Sequence, residues 1–148
     1  MSQDRTLSTS RTLPYSASAI YGAFASADLL AAWWGPDGFS NTFEVFEFKT
    51  GGRWKFVMHG PDGKNYANES IFKELVQDAK VVIYHDCQPY FTLTVKLTPV
   101  SDGTHLAWDQ VFEDAQTAQA VQKVVGSANE QNIDRLTRVL SKSPHAAS

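Results

Sequence analysis

The sequence predicts an α+β fold in which a strongly curved antiparallel sheet of about six to seven strands wraps around one long C-terminal helix and leaves an internal pocket. Three observations predict this fold. The central segments alternate apolar and polar residues between turns, as antiparallel strands with one buried face do. Only the last segment, Ala115 to Leu140, has helical spacing over enough length to cover that face. Two short helical segments after the first strand would wall the gap between sheet and helix.

The N-terminal elements are one strand and two short helices. Thr6 to Leu13 alternates weakly between apolar and polar residues and predicts the first strand. Ser16 is a suitable N-cap for a helix over Ala17 to Ala25. A second short helix is predicted from Ala27 to Trp33.

Strands dominate the centre of the chain. They are bounded by turn-forming residues such as Gly51-Gly52 and Ser101-Asp102-Gly103. The predicted strands are Thr42 to Phe48, Arg53 to His59, Tyr66 to Leu75, Val81 to Asp86, Tyr90 to Pro99 and Thr104 to Phe112.

Length and composition bound the class of protein. A chain of 148 residues is expected to form one domain, with a core over about residues 5–140 and a flexible tail over 143–148. The 43% hydrophobic and 20% charged content is ordinary for a globular protein. The net charge is −3, and Lys and Arg are scattered along the chain. A nucleic-acid binder would carry a basic stripe, so that class is disfavoured.

The expected location is the cytoplasm. The single cysteine, Cys87, cannot form an internal disulfide and suits a reducing compartment. The N-terminal residues have no signal-peptide pattern, and no segment has the length and apolar character of a membrane span. We expect no nucleic-acid or membrane partner, and either a monomer or a homodimer that pairs through an exposed edge strand.

Two of the four tryptophans stand side by side, as Trp33 and Trp34, where the second helix is predicted to end. Adjacent side chains cannot share one face of a helix or a strand, so at least one indole must point away from the local core. Gly35-Pro36 ends the helix directly after them. We therefore expect the tryptophan pair to form the rim of the pocket.

The alternation within strands predicts which side chains face the pocket. Between Arg53 and His59 the apolar set faces inward, and in the last strand Gln110 shares a face with large apolar residues. The residues predicted to line a ligand-binding cavity are Trp34, Trp54, Phe56, Met58, Tyr84, Trp108, Gln110, Val125 and Asn129.

Two amides and one tyrosine leave alternatives open. Gln110, and Asn129 in helical register between Val125 and Ile133, are both predicted to face the cavity. Either they satisfy each other, the backbone or a buried water, or they orient a polar group of a mostly apolar ligand. The orientation of Tyr84 stays open because both faces of its strand are apolar. It is either a structural tyrosine or a hydrogen-bond donor inside the pocket.

Known catalytic and metal-binding motifs do not occur in the sequence. There is no Gly-x-Ser-x-Gly, P-loop, GxGxxG or His-Glu-x-x-His pattern. His85, Asp86 and Cys87 carry ligand-capable groups, but neighbours on a strand point to opposite faces. We expect no catalytic residue, no metal and no cofactor, although an acid or a tyrosine inside the pocket would still allow acid–base chemistry.

Four motifs, in order over about Arg5 to Leu140, resemble one family. They are Trp33-Trp34-Gly35-Pro36, Phe46-Glu47-Phe48-Lys49-Thr50-Gly51-Gly52-Arg53-Trp54, Phe56-Val57-Met58-His59-Gly60-Pro61-Asp62-Gly63 and Asn129-Glu130-Gln131-Asn132-Ile133-Asp134-Arg135-Leu136. The chain resembles the START-like SRPBCC superfamily, in the branch named after the activator of the heat-shock chaperone ATPase and often labelled polyketide cyclase-like. The resemblance implies the helix-grip fold and a hydrophobic cavity. It does not imply one function, because carriers, cyclases and co-chaperone domains share the fold.

Three functions are carried forward as hypotheses. The first is binding of a small, mostly hydrophobic molecule in the internal cavity. The second is a cyclase, dehydratase or hydrolase acting on a small aromatic or polyketide-like substrate, which predicts a titratable group with a perturbed pKa in the cavity. The third is a co-chaperone-like interaction module, which predicts a contiguous exposed apolar patch. The eukaryotic co-chaperones carry a separate N-terminal domain that this chain is expected to lack.

Overall fold

The computed structural model describes residues 5–88 and 90–142. One strand and two short helices are followed by six strands and one long helix. The elements are β1 (Thr6–Leu13), α1 (Ala17–Ala25), α2 (Ala27–Trp33), β2 (Ser40–Phe46), β3 (Arg53–His59), β4 (Asn65–Val76), β5 (Lys80–His85), β6 (Phe91–Val100), β7 (Gly103–Phe112) and α3 (Ala115–Lys142).

The strands form one seven-stranded antiparallel sheet in the order β1-β7-β6-β5-β4-β3-β2. The pairing of β2 with β3 shifts register between Phe43 and Val45, and that of β4 with β5 shifts between Phe72 and Glu74. Such irregularities bend a strand and increase its twist, which helps this sheet to curve around α3. The predicted α+β helix-grip fold is confirmed. The edges are β1 and β2, and a homodimer through either edge stays a prediction.

The caps of the short helices explain where they begin. The Ser16 hydroxyl accepts a hydrogen bond from the Ala19 backbone N–H at 3.1 Å, as an N-cap does. Ser26 does the same for α2, through the Leu29 N–H at 3.3 Å. Trp34 is the C-cap of α2 with an extended backbone, so the helix ends between the two adjacent tryptophans.

β2 lies two residues earlier in the chain than its predicted range of 42–48. Its ladder stops at Phe46, because the backbone bends at Glu47, whose carbonyl accepts the Lys49 N–H at 2.9 Å. The bend depends on Gly52. A Cβ at this position would lie 2.0 Å from the Glu47 carbonyl oxygen, so only glycine allows so close an approach. Phe48 therefore keeps its inward aromatic contacts without belonging to the strand.

Aromatic side chains fill the space between sheet and helices. Trp33, Trp54 and Trp108 are all at most 1% exposed. Trp54 stacks on Phe56 at 4.2 Å between ring centroids and lies nearly parallel to Phe72. The C-terminal half of α3 adds the aliphatic side chains of Ile133, Leu136 and Leu140 to the core.

The tail expected over residues 143–148 lies outside the described residues. Within the described part of the chain, no helix combines the length and apolar character needed to cross a membrane.

Candidate ligand pocket

A pocket of about 220 Å³ lies between the inner face of the sheet, the middle of α3 and the turn after α2. Residues from β3 to β7 form its sheet side, and α3 and the turn close it from the other side. The lining residues are Trp34, Gly35, Pro36, Met58, Asn68, His85, Phe91, Leu93, Trp108, Gln110, Val125, Ala128, Asn129 and Asn132.

The adjacent tryptophans separate into a core residue and a wall residue. Trp33 is fully buried, and its indole N–H donates to the Ala23 carbonyl at 3.0 Å. Trp34 is partly exposed and lines the pocket, with its ring centroid 6.1 Å from that of Trp108. The turn then reverses at Gly35, with φ +98°, where a Cβ would lie 2.8 Å from the Met58 methyl carbon. Glycine thus lets the turn close against the pocket wall.

Arg135 of α3 holds this turn in place. Its guanidinium donates to five backbone carbonyls at 2.8–3.2 Å, those of Ala32, Trp34, Gly35, Pro36 and Phe39. Burial lowers the pKa of Arg135, although a guanidinium stays charged in a protein. Nη1 makes three of these contacts and Nη2 makes two, so the hydrogens of both terminal nitrogens are engaged.

Two neighbours of Arg135 on α3 add to this attachment. The Asn132 side-chain oxygen accepts the Gly35 N–H at 2.9 Å, and the Gln131 side-chain oxygen accepts the Asp37 N–H at 3.0 Å. The turn is therefore bound to the helix through both its carbonyl and its N–H groups. This part of the rim is preformed without a ligand.

Gln110 and Asn129 meet on the pocket wall. The Asn129 side-chain N–H donates to the Gln110 side-chain oxygen at 3.0 Å, and both residues are buried. The amides thus satisfy each other in part, as the first alternative predicts. One bond leaves the Gln110 amide nitrogen and the Asn129 amide oxygen without a hydrogen-bond partner among the described residues. This amide pair therefore offers one donor group and one acceptor group.

A second polar group on the wall is His85 with Asn68. The Asn68 side-chain nitrogen donates to the Tyr66 carbonyl at 3.0 Å, which turns its oxygen towards His85 Nε2 at 2.7 Å. This pattern assigns the proton to Nε2. The imidazole stacks on Phe91 at 4.5 Å between ring centroids, with 12° between the planes. The Cys87 sulfur lies 3.4 Å from Nε2.

Of the nine predicted lining residues, the structure brings six together around the pocket. They are Trp34, Met58, Trp108, Gln110, Val125 and Asn129. Their role in binding a ligand stays a prediction. His85 and Asn68 were missed; for His85 the reason is that both faces of β5 carry apolar residues, so alternation could not tell which one faces inward. His85 shares its face of β5 with Val81 and Ile83, and all three are buried.

The structure does not place Trp54, Phe56 and Tyr84 on the wall of this pocket. Trp54 and Phe56 do face inward, but the rings of Trp34 and Phe43 cover them and leave both at most 1% exposed. Tyr84 lies on the outer face, because the set containing His85 is the inward one. There it lines a separate groove, with the Lys73 ammonium 5.8 Å from its ring centroid.

The wall formed by the described lining residues carries no Asp, Glu, Lys, Arg or Tyr side chain. His85 is the titratable group among them. Within residues 5–88 and 90–142, no group of three His, Cys, Asp or Glu side chains is placed to hold a metal ion.

Comparison with known proteins identifies the family. The family model described as Activator of Hsp90 ATPase homolog 1-like protein matches residues 14–141. The chain belongs to this family. The expected resemblance to the START-like SRPBCC superfamily is confirmed with it. Among curated proteins, none matches this family member.

Solved structures similar to this AHSA1-like chain share its fold over nearly the full length. A protein from Nitrosomonas europaea is 18% identical with a TM-score of 0.88, over 96% of this chain and 97% of that one. A protein from Arthrobacter aurescens is 21% identical with a TM-score of 0.87, over 97% and 90%. An AHSA1-like protein from Aeromonas hydrophila is 17% identical with a TM-score of 0.75, over 92% of each chain. At these identities the likeness shows the fold alone.

Proposed function

We propose that this protein binds a small, mostly hydrophobic molecule in the pocket under α3. The observation that carries the proposal is the pocket itself, a preformed space of about 220 Å³ with aromatic and aliphatic walls and a few placed polar groups. Binding sites for small molecules are commonly built in this way.

The walls would supply most of the binding free energy. Trp34, Trp108 and Phe91 present aromatic surface, and Met58 and Leu93 present flexible or aliphatic surface. Burying apolar surface contributes roughly 25 cal/mol per Å², and the polarisable sulfur of Met58 suits contact with an aromatic ligand. The amides would then fix the orientation of the ligand and supply a smaller share of its affinity.

The attachment of the rim by Arg135 also supports binding. If a loop becomes ordered only when a ligand binds, the entropy lost by the loop lowers the affinity for that ligand. Here the turn at Trp34 is already fixed by five carbonyl contacts and by Asn132. The pocket would therefore accept a ligand with little rearrangement.

A screen of small molecules by thermal shift tests the proposal. A ligand that binds only the native state at ten times its dissociation constant should raise the melting temperature by about 3–6 °C. Val125→Phe should abolish the shift, because the added ring enters the pocket. Val124→Phe is the matched control. Val124 is 75% exposed on the same helix, so this variant should keep the shift.

A supporting small molecule raises the melting temperature of the wild-type chain and of Val124→Phe but not that of Val125→Phe. The proposal fails if no small molecule does so. A shift that survives in both variants would indicate binding elsewhere on the protein. Loss of folding in Val125→Phe would be visible in its own melting curve. Ala128→Phe, from a second lining residue, would then replace it.

The other two hypotheses have less support in the structure. An enzyme would need to use His85, since the described lining residues include no acid and no tyrosine. An interaction module needs a contiguous apolar patch, whereas the exposed large apolar side chains of the described residues stand on β4, β6 and α3. They are Tyr66, Val76, Val100 and Val124.

A further inference from the structure

We infer that the pocket takes an uncharged, planar molecule of one or two fused rings that carries both a hydrogen-bond donor and an acceptor, such as a cyclic amide. This inference rests on the proposed function and narrows it to a ligand class. Size, charge, wall shape and the unused amide groups each restrict the ligand independently.

The volume of the pocket sets the size of the ligand. An apolar cavity of about 150 Å³ holds benzene, so a pocket of about 220 Å³ has room for one ring with substituents or for two fused rings. A sterol, a long acyl chain or a tetracyclic polyketide exceeds this volume and would have to extend out of the pocket.

The lining residues favour an uncharged ligand. None of the described ones carries a formal charge, apart from any proton taken up by His85. An unpaired carboxylate or ammonium moved from water into such a site is strongly disfavoured. Arg135 is a cation next to the rim, but its Nη1 and Nη2 groups are already bound to five carbonyls. A ligand carboxylate would have to compete with those carbonyls for either terminal nitrogen.

The walls favour a flat ligand. The rings of Trp34 and Trp108 lie 6.1 Å apart at 32°, and the imidazole of His85 lies almost parallel to Phe91. Planar rings pack on such surfaces by offset stacking or edge contacts, which favours aromatic over branched aliphatic ligands.

The unused groups of Gln110 and Asn129 supply the last restriction. Their mutual bond leaves one NH₂ group and one carbonyl oxygen, and exchanging the oxygen and nitrogen atoms of both amides would still leave a donor and an acceptor on the pair. A cyclic amide presents an adjacent N–H and C=O and can pair with both. A ligand that leaves these groups desolvated and unpaired would lose affinity.

The test is calorimetric titration with probes of defined chemistry. 2-Quinolinone is a planar, uncharged, bicyclic amide, 2-naphthoate has similar size with a carboxylate, and palmitate is too large. We expect 2-quinolinone to bind with a dissociation constant below about 1 mM, and the other two to bind at least about tenfold more weakly or not at all. Val125→Phe should abolish 2-quinolinone binding, and Val124→Phe should not.

Gln110→Met tests the amide pair, since it keeps the length and removes the polar group. We expect it to weaken 2-quinolinone about fivefold to tenfold, the usual effect of one lost hydrogen bond. The matched control is Gln119→Met, an exposed position on α3, which should leave affinity unchanged. If Gln110→Met does not fold, the comparison of the three probes on the wild-type chain still decides the ligand class.

Failure of this inference differs from failure of the proposed function. If palmitate or 2-naphthoate binds more tightly than 2-quinolinone, and Val125→Phe removes that binding, the pocket binds ligands but the inferred class is wrong. If Gln110→Met leaves 2-quinolinone affinity unchanged, the role given to the amides is wrong. If neither these probes nor a broad screen gives binding that depends on Val125, the proposed function itself fails.

Discussion

At the scale of the residue, two glycines show how local sterics specify parts of the fold. Gly52 sits where the chain passes the Glu47 carbonyl, and a Cβ there would lie 2.0 Å from that oxygen. Gly126 lies inside α3, where a Cβ would meet no atom within 4 Å beyond the backbone of its own helix, so nothing near it requires glycine. The same substitution should therefore have opposite effects at the two sites.

We expect Gly52→Ala to lower the free energy of unfolding by about 2–4 kcal/mol, because the backbone of the turn must move. Gly126→Ala should raise it by about 0.5–1 kcal/mol, since alanine costs less entropy than glycine inside a helix. Urea unfolding of both variants measures this difference. Equal effects would contradict the close approach described for the β2–β3 turn.

Individual residues show which features of the pocket could be predicted from the sequence and which could not. Alternation placed Trp108 and Gln110 on the inner face correctly, because only one face of β7 is strongly apolar. It could not orient β5, where Val81 and Val82 are equally apolar, so His85 was missed and Tyr84 misplaced. Alternation also predicts which face of the sheet a side chain points to, but not whether another side chain covers it. Trp54 faces inward yet lies beneath Trp34, a contact between residues far apart in the chain.

At the scale of the element, α3 has two roles in different segments. Its C-terminal half packs into the core, and residues 131, 132 and 135 hold the turn after α2. Val125 and Asn129, further towards the N-terminus, face the pocket. The same helix therefore stabilises the fold and holds the rim of the pocket in its shape.

Arg135→Met should loosen the turn while keeping much of the aliphatic packing. We expect a loss of about 2–3 kcal/mol in the free energy of unfolding, because several charge-assisted hydrogen bonds are removed. Hydrogen exchange at the Gly35 and Asp37 amides should become faster. Arg138→Met is the matched control on the same helix. Its side chain is exposed, and its ion pair with Asp37 is long, at 3.6 Å, so stability should change by less than about 0.5 kcal/mol.

Unchanged exchange at Gly35 in Arg135→Met would show that the turn does not depend on the guanidinium. Global loss of protection would show instead that Arg135 supports the whole fold. The described contacts predict that hydrogen exchange in Arg135→Met becomes faster only within residues 34–39.

Element bounds were predictable to within one residue where turn residues interrupt an alternating pattern, as at Ser101-Asp102 between β6 and β7. The prediction missed the end of β2, because Phe48 continues the apolar alternation after the ladder has stopped. Hydrophobic pattern reports which side chains are buried, whereas strand ends depend on backbone hydrogen bonds. At Glu47 these two criteria give different ends for β2.

In the whole molecule, the sheet, the turn and α3 border a small preformed pocket whose described walls are mostly apolar. The fold and family were predictable, because motif order and element order run along the entire sequence. The pocket size was not, since it depends on how far Trp34 and Trp108 extend across the space between sheet and helix. That size is what separates a one- or two-ring ligand from a lipid.

The most direct test of the central claim is a methyl-resolved NMR titration with 2-quinolinone. Met58 and Val125 line the pocket, whereas Val124 and Val100 are exposed elsewhere. The account predicts saturable shifts of the Met58 and Val125 methyl signals, with the signals of Val124 and Val100 unchanged. Shifts confined to the exposed valines, or no saturable shift of Met58 and Val125 with this probe or any hit from a broad screen, would contradict it.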